Sequence, residues 1–292
     1  MKARKLYLCG GMQSSGSTLV SWCFLQRPDM DGVLDAAFDT LPQIPEQGPG
    51  QHAWCKFTIA CFGFEDVKQH LEDEGWQITP LLIARDPRAV FNSLIRKRYG
   101  RNGITADDPP LRLRLRRFHR DWQLFRERGW PILRYESLTP DPIATLRTTC
   151  AMLQLPWDDA MVHWPKPPDA IPGKGNETFV HTRGAGLRDS IQPAMAQVKT
   201  DHIPPADLEW MEQEFADMNA DLGYAAHIPS QAAADVPARA VPNIDCTRRY
   251  RAASRALRHQ RRKRWLALVV IAATALIILA DVMDWIKVID FF

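Results

Sequence analysis

Short apolar runs alternate with helical patterns along most of the chain, up to about Tyr224. Leu6–Cys9 precedes a Gly/Ser loop and a helical pattern, and Pro80–Ala84 and Pro131–Tyr135 are each followed by a loop or turn and another helical pattern. Strands that alternate with helices pair in parallel, because each crossover helix returns the chain for a strand in the same direction. The pattern therefore predicts an α/β fold with a central parallel sheet flanked by helices.

The composition changes abruptly after this alternating region. Residues 228–247 are rich in Ala and Pro, which indicates a linker behind a domain that spans residues 1–227. Residues 248–264 then contain nine Lys and Arg residues and no acid. Because the formal net charge of the whole chain is only +3, the positive charge is concentrated in this segment. The distribution argues against a nucleic-acid-coating domain and favours a local electrostatic role.

The segment behind the basic stretch is apolar. Residues 265–280 contain no charge but are short for a membrane span, so a buried core or oligomerisation helix is the alternative interpretation. Trp265 and Trp285 lie about 30 Å apart on a helix, close to the hydrocarbon thickness. The preceding positive charges satisfy the positive-inside rule, whereas Asp281 and Asp284 count against a span. We predict a single transmembrane helix at 265–287, with the domain on the cytoplasmic side and the basic segment on anionic lipid headgroups.

The six cysteines lie far apart and form neither a CxxC pair nor a Cys/His metal-ligand pattern. A disulfide framework is not expected in a chain of 292 residues, and a reduced compartment is the simpler interpretation. The apolar run behind the basic amino terminus stops at Gly10-Gly11, too early for the apolar region of a signal peptide. We therefore expect a cytosolic domain without a metal site.

The segment Gly11–Thr18 follows the first predicted strand and opens a helix. Its spacing is that of a phosphate-binding loop, G-x-x-x-x-G-K-[ST], with Ser17 in place of the lysine. Backbone N–H groups at a helix start bind anions, and Gly16 lets a ligand approach the chain closely. The missing lysine argues against a triphosphate ligand. The alternative interpretation is a Gly/Ser turn with a capping serine.

A second strand-to-helix corner is Arg85–Ser93, with an arginine at the strand end and a serine just over two helical turns later. The arginine and the serine could bind one phosphate group from two sides. The alternative interpretation is an ordinary helix start, with Pro87 at the first helical position and solvated arginines.

Together the two segments resemble motifs of the PAPS-dependent sulfotransferases. Residues 11–19 resemble the loop that binds the 5′-phosphosulfate, and Arg85–Ser93 resembles the motif that binds the 3′-phosphate. Leu133–Leu138 is similar to the family's Tyr-Glu-Asp-Leu strand, and Leu208–Tyr224 is similar to the end of many bacterial members. The resemblance covers about residues 5–224. It implies a P-loop-like fold of the bacterial carbohydrate or lipid type, with PAPS as co-substrate and no metal.

The resemblance also implies a role for each matching residue. Many relatives have a basic residue at the position of Ser14, so another cation must serve here, and Lys56 is the candidate; the alternative is a strand lysine whose ammonium group reaches solvent. A late basic loop that closes over the nucleotide would lie at Lys174 or at Arg183. The implied donor-binding residues are Ser14, Ser15, Gly16, Ser17 and Thr18 for the 5′-phosphosulfate, Arg85 and Ser93 for the 3′-phosphate, and Tyr135 near the adenine.

Sulfuryl transfer also needs a base for the acceptor hydroxyl and stabilisation of the leaving phosphate. The histidine that cytosolic relatives use is replaced here by Thr58. Some bacterial members use an acid after the loop helix, and Gly32–Phe38 is similar to that context, with Asp35 in place of glutamate. The resemblance therefore predicts Asp35 as the base, with His52 and Asp39 as the next candidates.

Five arginines lie between positions 112 and 120. On a helix they would spread around the axis. A solvated helix face is the favoured interpretation, and a basic wall that attracts an anionic acceptor is the alternative.

These patterns predict a membrane-tethered enzyme that transfers a sulfuryl group from PAPS to a hydroxyl of a membrane-associated glycan, glycolipid or lipid. Two alternatives stay open. One is a P-loop kinase for a small molecule, which the missing lysine disfavours. The other is a non-catalytic nucleotide-binding membrane scaffold whose tail is an oligomerisation helix in a homo-oligomer. Nucleic acid is not an expected partner of any of them.

Overall fold

The sheet is built from five parallel strands. A computed structural model of the chain describes residues 4–36, 41–42, 44, 51–96, 111–172, 186–191 and 198–225. Its strands form one sheet in the order β2-β3-β1-β4-β5, and every neighbouring pair runs parallel. The predicted α/β class with a central parallel sheet is confirmed. The strands are β1 (Arg4–Gly11), β2 (Met30–Val33), β3 (His52–Thr58), β4 (Trp76–Ala84) and β5 (Ile132–Arg134).

Helices connect most of the strands and continue after the last one. Pro87 and Pro142 each stand at a helix start behind an aspartate whose side chain accepts a backbone N–H of the first turn. This placement is favourable because proline lacks the N–H that a first turn leaves unbonded. The helices are α1 (Ser17–Leu25), α2 (Phe64–Asp73), α3 (Pro87–Leu94), α4 (Leu111–Glu127), α5 (Tyr135–Leu138), α6 (Pro142–Met152), α7 (Ala160–His163), α8 (Gly186–Ser190), α9 (Pro205–Glu214) and α10 (Ala216–Leu222), with a 3-10 helix at Pro168–Ala170.

Three boundaries differ from the sequence-based prediction. The strand predicted from Pro80 begins already at Trp76, because its mixed polar and apolar first half pairs with β1. Tyr135, predicted as a strand end, is the first residue of α5. The sequence predicts one helix from Ala206 to Leu222, between Pro204-Pro205 and Gly223, but this helix is divided at Phe215. The backbone dihedral angles of Phe215, −110° and 18°, interrupt the helical geometry between α9 and α10.

The register of the sheet brings several loops to one edge. Gly11, the last residue of β1, is aligned with Thr58 of β3 and with Ile83 of β4. The loops behind these three strands therefore leave the sheet at the same level. The chain runs from β1 to β2 and β3 on one side and then to β4 on the other. In open α/β sheets, ligands bind in the crevice at such a change of direction.

Aromatic packing fixes α1 on the sheet. The rings of Phe24 on α1 and Trp54 on β3 are stacked with centroids 4.4 Å apart, and neither side chain is exposed to solvent. Burial of a large apolar side chain contributes roughly 1.5–3 kcal/mol. The start of α1, which closes the loop behind β1, is thereby held in place over the sheet.

The arginines of α4 are engaged within the protein. The Arg112 side chain donates to Asp207 at 2.7 Å, and Arg116 donates to Glu214 at 3.1 Å. Both arginines are about half exposed, so each pair contributes at most about 1 kcal/mol. Their contacts with the two acids link α4 to α9.

The predicted linker, basic segment and membrane helix form the tail that follows the domain. Within the ranges that the structure describes, no helix is long and apolar enough to cross a lipid bilayer. The linker at 228–247, the basic segment at 248–264 and the membrane helix at 265–287 lie outside those ranges. All three stay predictions from the sequence.

Candidate active site

The loop between β1 and α1 turns through two residues in the left-handed region. Ser14 has φ 67° and Gly16 has φ 85°. The backbone N–H of Ser15 donates to the carbonyl oxygen of Met12 at 3.1 Å, which closes a tight turn. N–H groups in such turns form concave sites for anions. Gly16 is also the N-cap of α1, and it has no side-chain oxygen that could accept hydrogen bonds from the N–H groups of the first turn. A bound anion can therefore accept these hydrogen bonds.

A buried hydroxyl group lies in this loop. The side chain of Ser15 has no solvent exposure, and among the described residues its Oγ has no hydrogen-bond partner. Ser15 Oγ and Ser17 Cβ lie 2.8 and 3.0 Å from the point where a Cβ of Gly11 would stand, so both serines fold back over that glycine. An unsatisfied buried hydroxyl costs roughly 1–3 kcal/mol. A phosphate or sulfate oxygen bound in the loop would supply the missing partner, so the loop fits the predicted anion.

The corner that carries Arg85 meets this loop directly. Arg85 follows β4, and its Nη1 donates to the carbonyl oxygen of Ser14 at 2.7 Å. Its guanidinium carbon lies 4.4 Å from the centroid of the Tyr135 ring. A Cβ on Gly16 would stand only 2.3 Å from a carbon of the same ring. The loop, the arginine and the tyrosine thus form one packed unit, and the two predicted corners converge.

Tyr135 stays a neutral phenol in this unit. Burial raises the pKa of its hydroxyl, the neighbouring Glu136 carboxylate raises it further, and Arg85 opposes the rise. The ring presents its face to Arg85 and its edge carbons to the backbone of Gly16.

Lys56 and Asp35 also come together. Lys56 Nζ lies 2.8 Å from Asp35 Oδ1 and donates to Thr58 Oγ1 at 2.9 Å. The backbone N–H of Ala36 donates to the carbonyl oxygen of Lys56, which keeps the segment behind β2 alongside β3. The Lys56 side chain is 2% exposed and that of Asp35 is 21% exposed. A carboxylate oxygen at this position could accept the proton of an acceptor hydroxyl, which is the task of a general base.

The Lys56–Asp35 pair lies close below the loop. Lys56 is aligned with Cys9 of β1, two residues before Gly11. Burial raises the pKa of the Cys9 thiol to about 12, so Cys9 is a neutral neighbour and not a nucleophile. The register therefore places this charged pair two residues before the level at which the loop leaves the sheet.

His52, the second candidate base, lies at the start of β3 and away from the loop. It begins β3, opposite Met30, and its Nε2 lies 3.9 Å from a carboxylate oxygen of Asp29. Strands rise about 3.3 Å per residue, so His52 stands about 13 Å before Lys56, near the opposite edge of the sheet. Burial lowers the pKa of its imidazole. His52 is therefore far from the loop. Of the candidate bases that the structure describes, Asp35 is the one that lies next to Lys56.

The other predicted residues divide into two groups. Thr18 lies in the first turn of α1, and Ser93 lies half-buried near the end of α3. Asp39, Lys174 and Arg183 lie outside the described residues, so their roles stay predictions.

One residue that the sequence did not single out lies beside the loop. Arg114 of α4 is fully buried, and its Nη2 lies 3.5 Å from Gln13 Oε1. The sequence showed it only as one of several arginines in a row. Its helical position, on the same face as the buried Leu111, Leu115 and Phe118, is the signal that would have distinguished it.

Comparison with solved structures shows that the chain has the fold of sulfotransferase domains. The sulfotransferase domain from the Synechococcus PCC 7002 olefin synthase aligns with a TM-score of 0.50 and 17% sequence identity, over 77% of this chain and 96% of that one. The sulfotransferase domain from the curacin biosynthetic pathway aligns with a TM-score of 0.51 and 14% identity, over 78% and 100% of the two chains. No protein-family model and no curated protein matches the sequence. The predicted resemblance is confirmed at the level of the fold.

Replacement of Gly16 by alanine tests the packed unit. Gly16 and Gly75 both have left-handed backbones, but a Cβ on Gly75 would meet nothing within 4 Å. We expect Gly75→Ala to lower the free energy of unfolding by about 1 kcal/mol. Gly16→Ala should cost about 1–3 kcal/mol more, because the methyl group displaces Tyr135. Urea unfolding of both variants measures the difference, and equal costs would contradict the contact.

Proposed function

We propose that this protein transfers a sulfuryl group from PAPS to a hydroxyl group of an acceptor. The observation that carries the proposal is the convergence of the two corners, in which Arg85 reaches the carbonyl oxygen of Ser14 at 2.7 Å. A phosphate-type loop and a separate arginine corner, packed together, suit an anion with two separated phosphate groups. The fold of sulfotransferase domains supports the same chemistry.

The donor would bind across both corners. Loop N–H groups and the hydroxyls of Ser15, Ser17 and Thr18 would hold the 5′-phosphosulfate, and the buried Ser15 Oγ would gain a hydrogen bond there. Arg85 and Ser93 would hold the 3′-phosphate. The adenine would lie near the ring of Tyr135.

The transfer itself would use the ion pair beneath the loop. The acceptor oxygen forms a bond to sulfur while the bond between sulfur and the phosphate oxygen breaks. The hydroxyl proton passes to the Asp35 carboxylate, and the leaving group is PAP. Negative charge that develops on the leaving phosphate is offset by Lys56 and by the loop N–H groups.

The acceptor proposal comes from the predicted tail. The nine basic residues in 248–264 and the apolar segment behind them would hold the domain on the cytoplasmic face of a membrane. A domain held there meets acceptors at the membrane surface. We therefore propose a membrane-associated glycan, glycolipid or lipid as the acceptor.

The donor site predicts a specific loss for Arg85→Ala. Removal of the guanidinium should weaken PAP at least about tenfold, because a charge-assisted contact to the 3′-phosphate is lost. AMP lacks that phosphate, so its affinity should fall by a smaller factor, which reports only the lost contact with the Ser14 carbonyl oxygen. Isothermal titration calorimetry measures both, with Arg120→Ala on the exposed side of α4 as the control of equal charge.

Two results would contradict the donor assignment. One is unchanged PAP affinity in Arg85→Ala. The other is stronger binding of ATP than of PAP by the unmodified protein, which would favour the kinase alternative.

The proposed base predicts a loss of turnover without a loss of donor binding. Asp35→Asn should lower kcat by a factor of about 10² to 10⁴, because the amide cannot accept the proton. Transfer of radiolabelled sulfate from PAPS to a membrane lipid and glycan extract measures turnover, and PAP titration measures binding. The exposed Asp73→Asn is the control. Full turnover in Asp35→Asn would exclude this base, and no transfer by the unmodified protein would favour the scaffold alternative.

The tail predicts where the protein is found in the cell. The full chain should sediment with membranes and resist alkaline extraction, whereas a chain without residues 248–292 should be soluble. A variant that lacks only 265–287 separates the two contributions, because the basic segment alone gives adsorption that salt reverses. A soluble full chain would contradict the anchor.

A further inference from the structure

The turn that carries Arg85 is braced by a glutamate of α5, the short helix that directly follows β5. The backbone N–H of Asp86 donates to Glu136 Oε1 at 3.0 Å. Glu136 directly follows Tyr135, whose ring lies against the Arg85 guanidinium. Two consecutive residues therefore hold the corner: Tyr135 contacts the Arg85 side chain, and Glu136 fixes the backbone one residue later.

The second oxygen of this glutamate is held by the end of the folded body. The Tyr224 hydroxyl donates to Glu136 Oε2 at 2.9 Å, and Arg134 Nε lies 3.6 Å from the same oxygen. The Arg134 guanidinium also lies 4.8 Å above the Tyr224 ring. Burial and the nearby carboxylate both raise the pKa of Tyr224, so its hydroxyl stays a proton donor. These contacts orient the carboxylate with one oxygen on the Asp86 backbone.

The same chain end reaches the corner a second time. Arg88 is buried and binds both carboxylate oxygens of Asp86, at 2.9 and 2.6 Å. Its Nη1 donates to Glu212 Oε1 at 2.8 Å and to the carbonyl oxygen of Ala225 at 2.7 Å. Asp86 is thus held by its N–H through Glu136 and by its carboxylate through Arg88. Both braces depend on residues between 212 and 225.

Both oxygens of the Glu136 carboxylate have partners in this arrangement. One accepts from the Asp86 N–H, and the other accepts from the Tyr224 hydroxyl, with Arg134 nearby. The carboxylate is therefore fixed in one orientation, and it fixes the backbone of the turn directly behind Arg85.

We infer that Glu136 and Tyr224 are positioning residues for Arg85, and that they set the affinity of the site for the 3′-phosphate of the donor. This inference rests on the proposed function. It assigns to the carboxyl-terminal end of the folded body a part in donor recognition, although neither residue needs to touch the nucleotide.

The test compares PAP with AMP, which differs from it by the 3′-phosphate alone. Glu136→Ala loses both contacts, whereas Glu136→Gln keeps an oxygen for the Asp86 N–H and Tyr224→Phe removes one hydrogen bond. We expect PAP dissociation constants to rise about tenfold in Glu136→Ala and about threefold in the two conservative variants. AMP affinity should stay within about twofold in all of them. Tyr7→Phe, which removes a buried hydroxyl from β1, is the matched control and should leave both affinities unchanged.

The outcomes separate this inference from the function on which it rests. A rise for PAP alone, graded as described, supports positioning. If the dissociation constants of PAP and AMP rise equally, the site has loosened as a whole and the inference is overturned. Unchanged PAP affinity in Tyr224→Phe also overturns the inference, and this variant gives the answer even if Glu136→Ala does not fold. A wild-type chain that binds no PAP would instead reject the proposed function.

Discussion

The close contact between two strand-to-helix corners is the constraint on which the candidate site depends. Gly16 lies so near the ring of Tyr135 that no side chain fits between them, and Arg85 spans the remaining distance to Ser14. The contact exists because β1 and β4 are neighbours whose carboxyl ends are aligned. A shift of one residue in that register would separate the loop from the arginine, and the anion-binding groups would no longer face one ligand.

Charge reaches the site from the scaffold and not from the loop itself. The phosphate-type loop itself has no lysine. The basic side chains near it belong to other elements: Lys56 lies on β3, Arg85 follows β4, and Arg114 lies on α4. Each cation is held by a different element of the fold. Separate cations suit separate phosphate groups, whereas a triphosphate needs its positive charge concentrated at the loop. The arrangement therefore agrees with the proposed donor better than with ATP.

The end of the folded body contacts the residues that hold the Arg85 corner. Tyr224 and Ala225 contact the network that holds Asp86, and the predicted linker follows only a few residues later.

Much of the fold and part of the site followed from local patterns. The alternation of apolar runs and helical patterns predicted the parallel α/β class, and the spacing around Gly16 and Arg85 located both corners, because strand, turn and helix signals are contained within a few consecutive residues. Asp35 and Lys56 were also named, and the structure brings them within 2.8 Å. His52 was named for its chemistry alone, and its place at the other end of β3 is set by strand register, which no local pattern reveals.

The sequence by itself determined the class of the fold, the two phosphate-type corners and the basic and apolar segments of the tail. Only the tertiary structure decided which residues support those corners. Glu136 and Tyr224 are separated by 88 positions along the chain and meet through a single hydrogen bond. Arg114 is turned inward, while its neighbour Arg112 pairs with Asp207 near the surface. Contacts of this kind depend on how helices dock on the sheet, and docking is a property of the whole packed core.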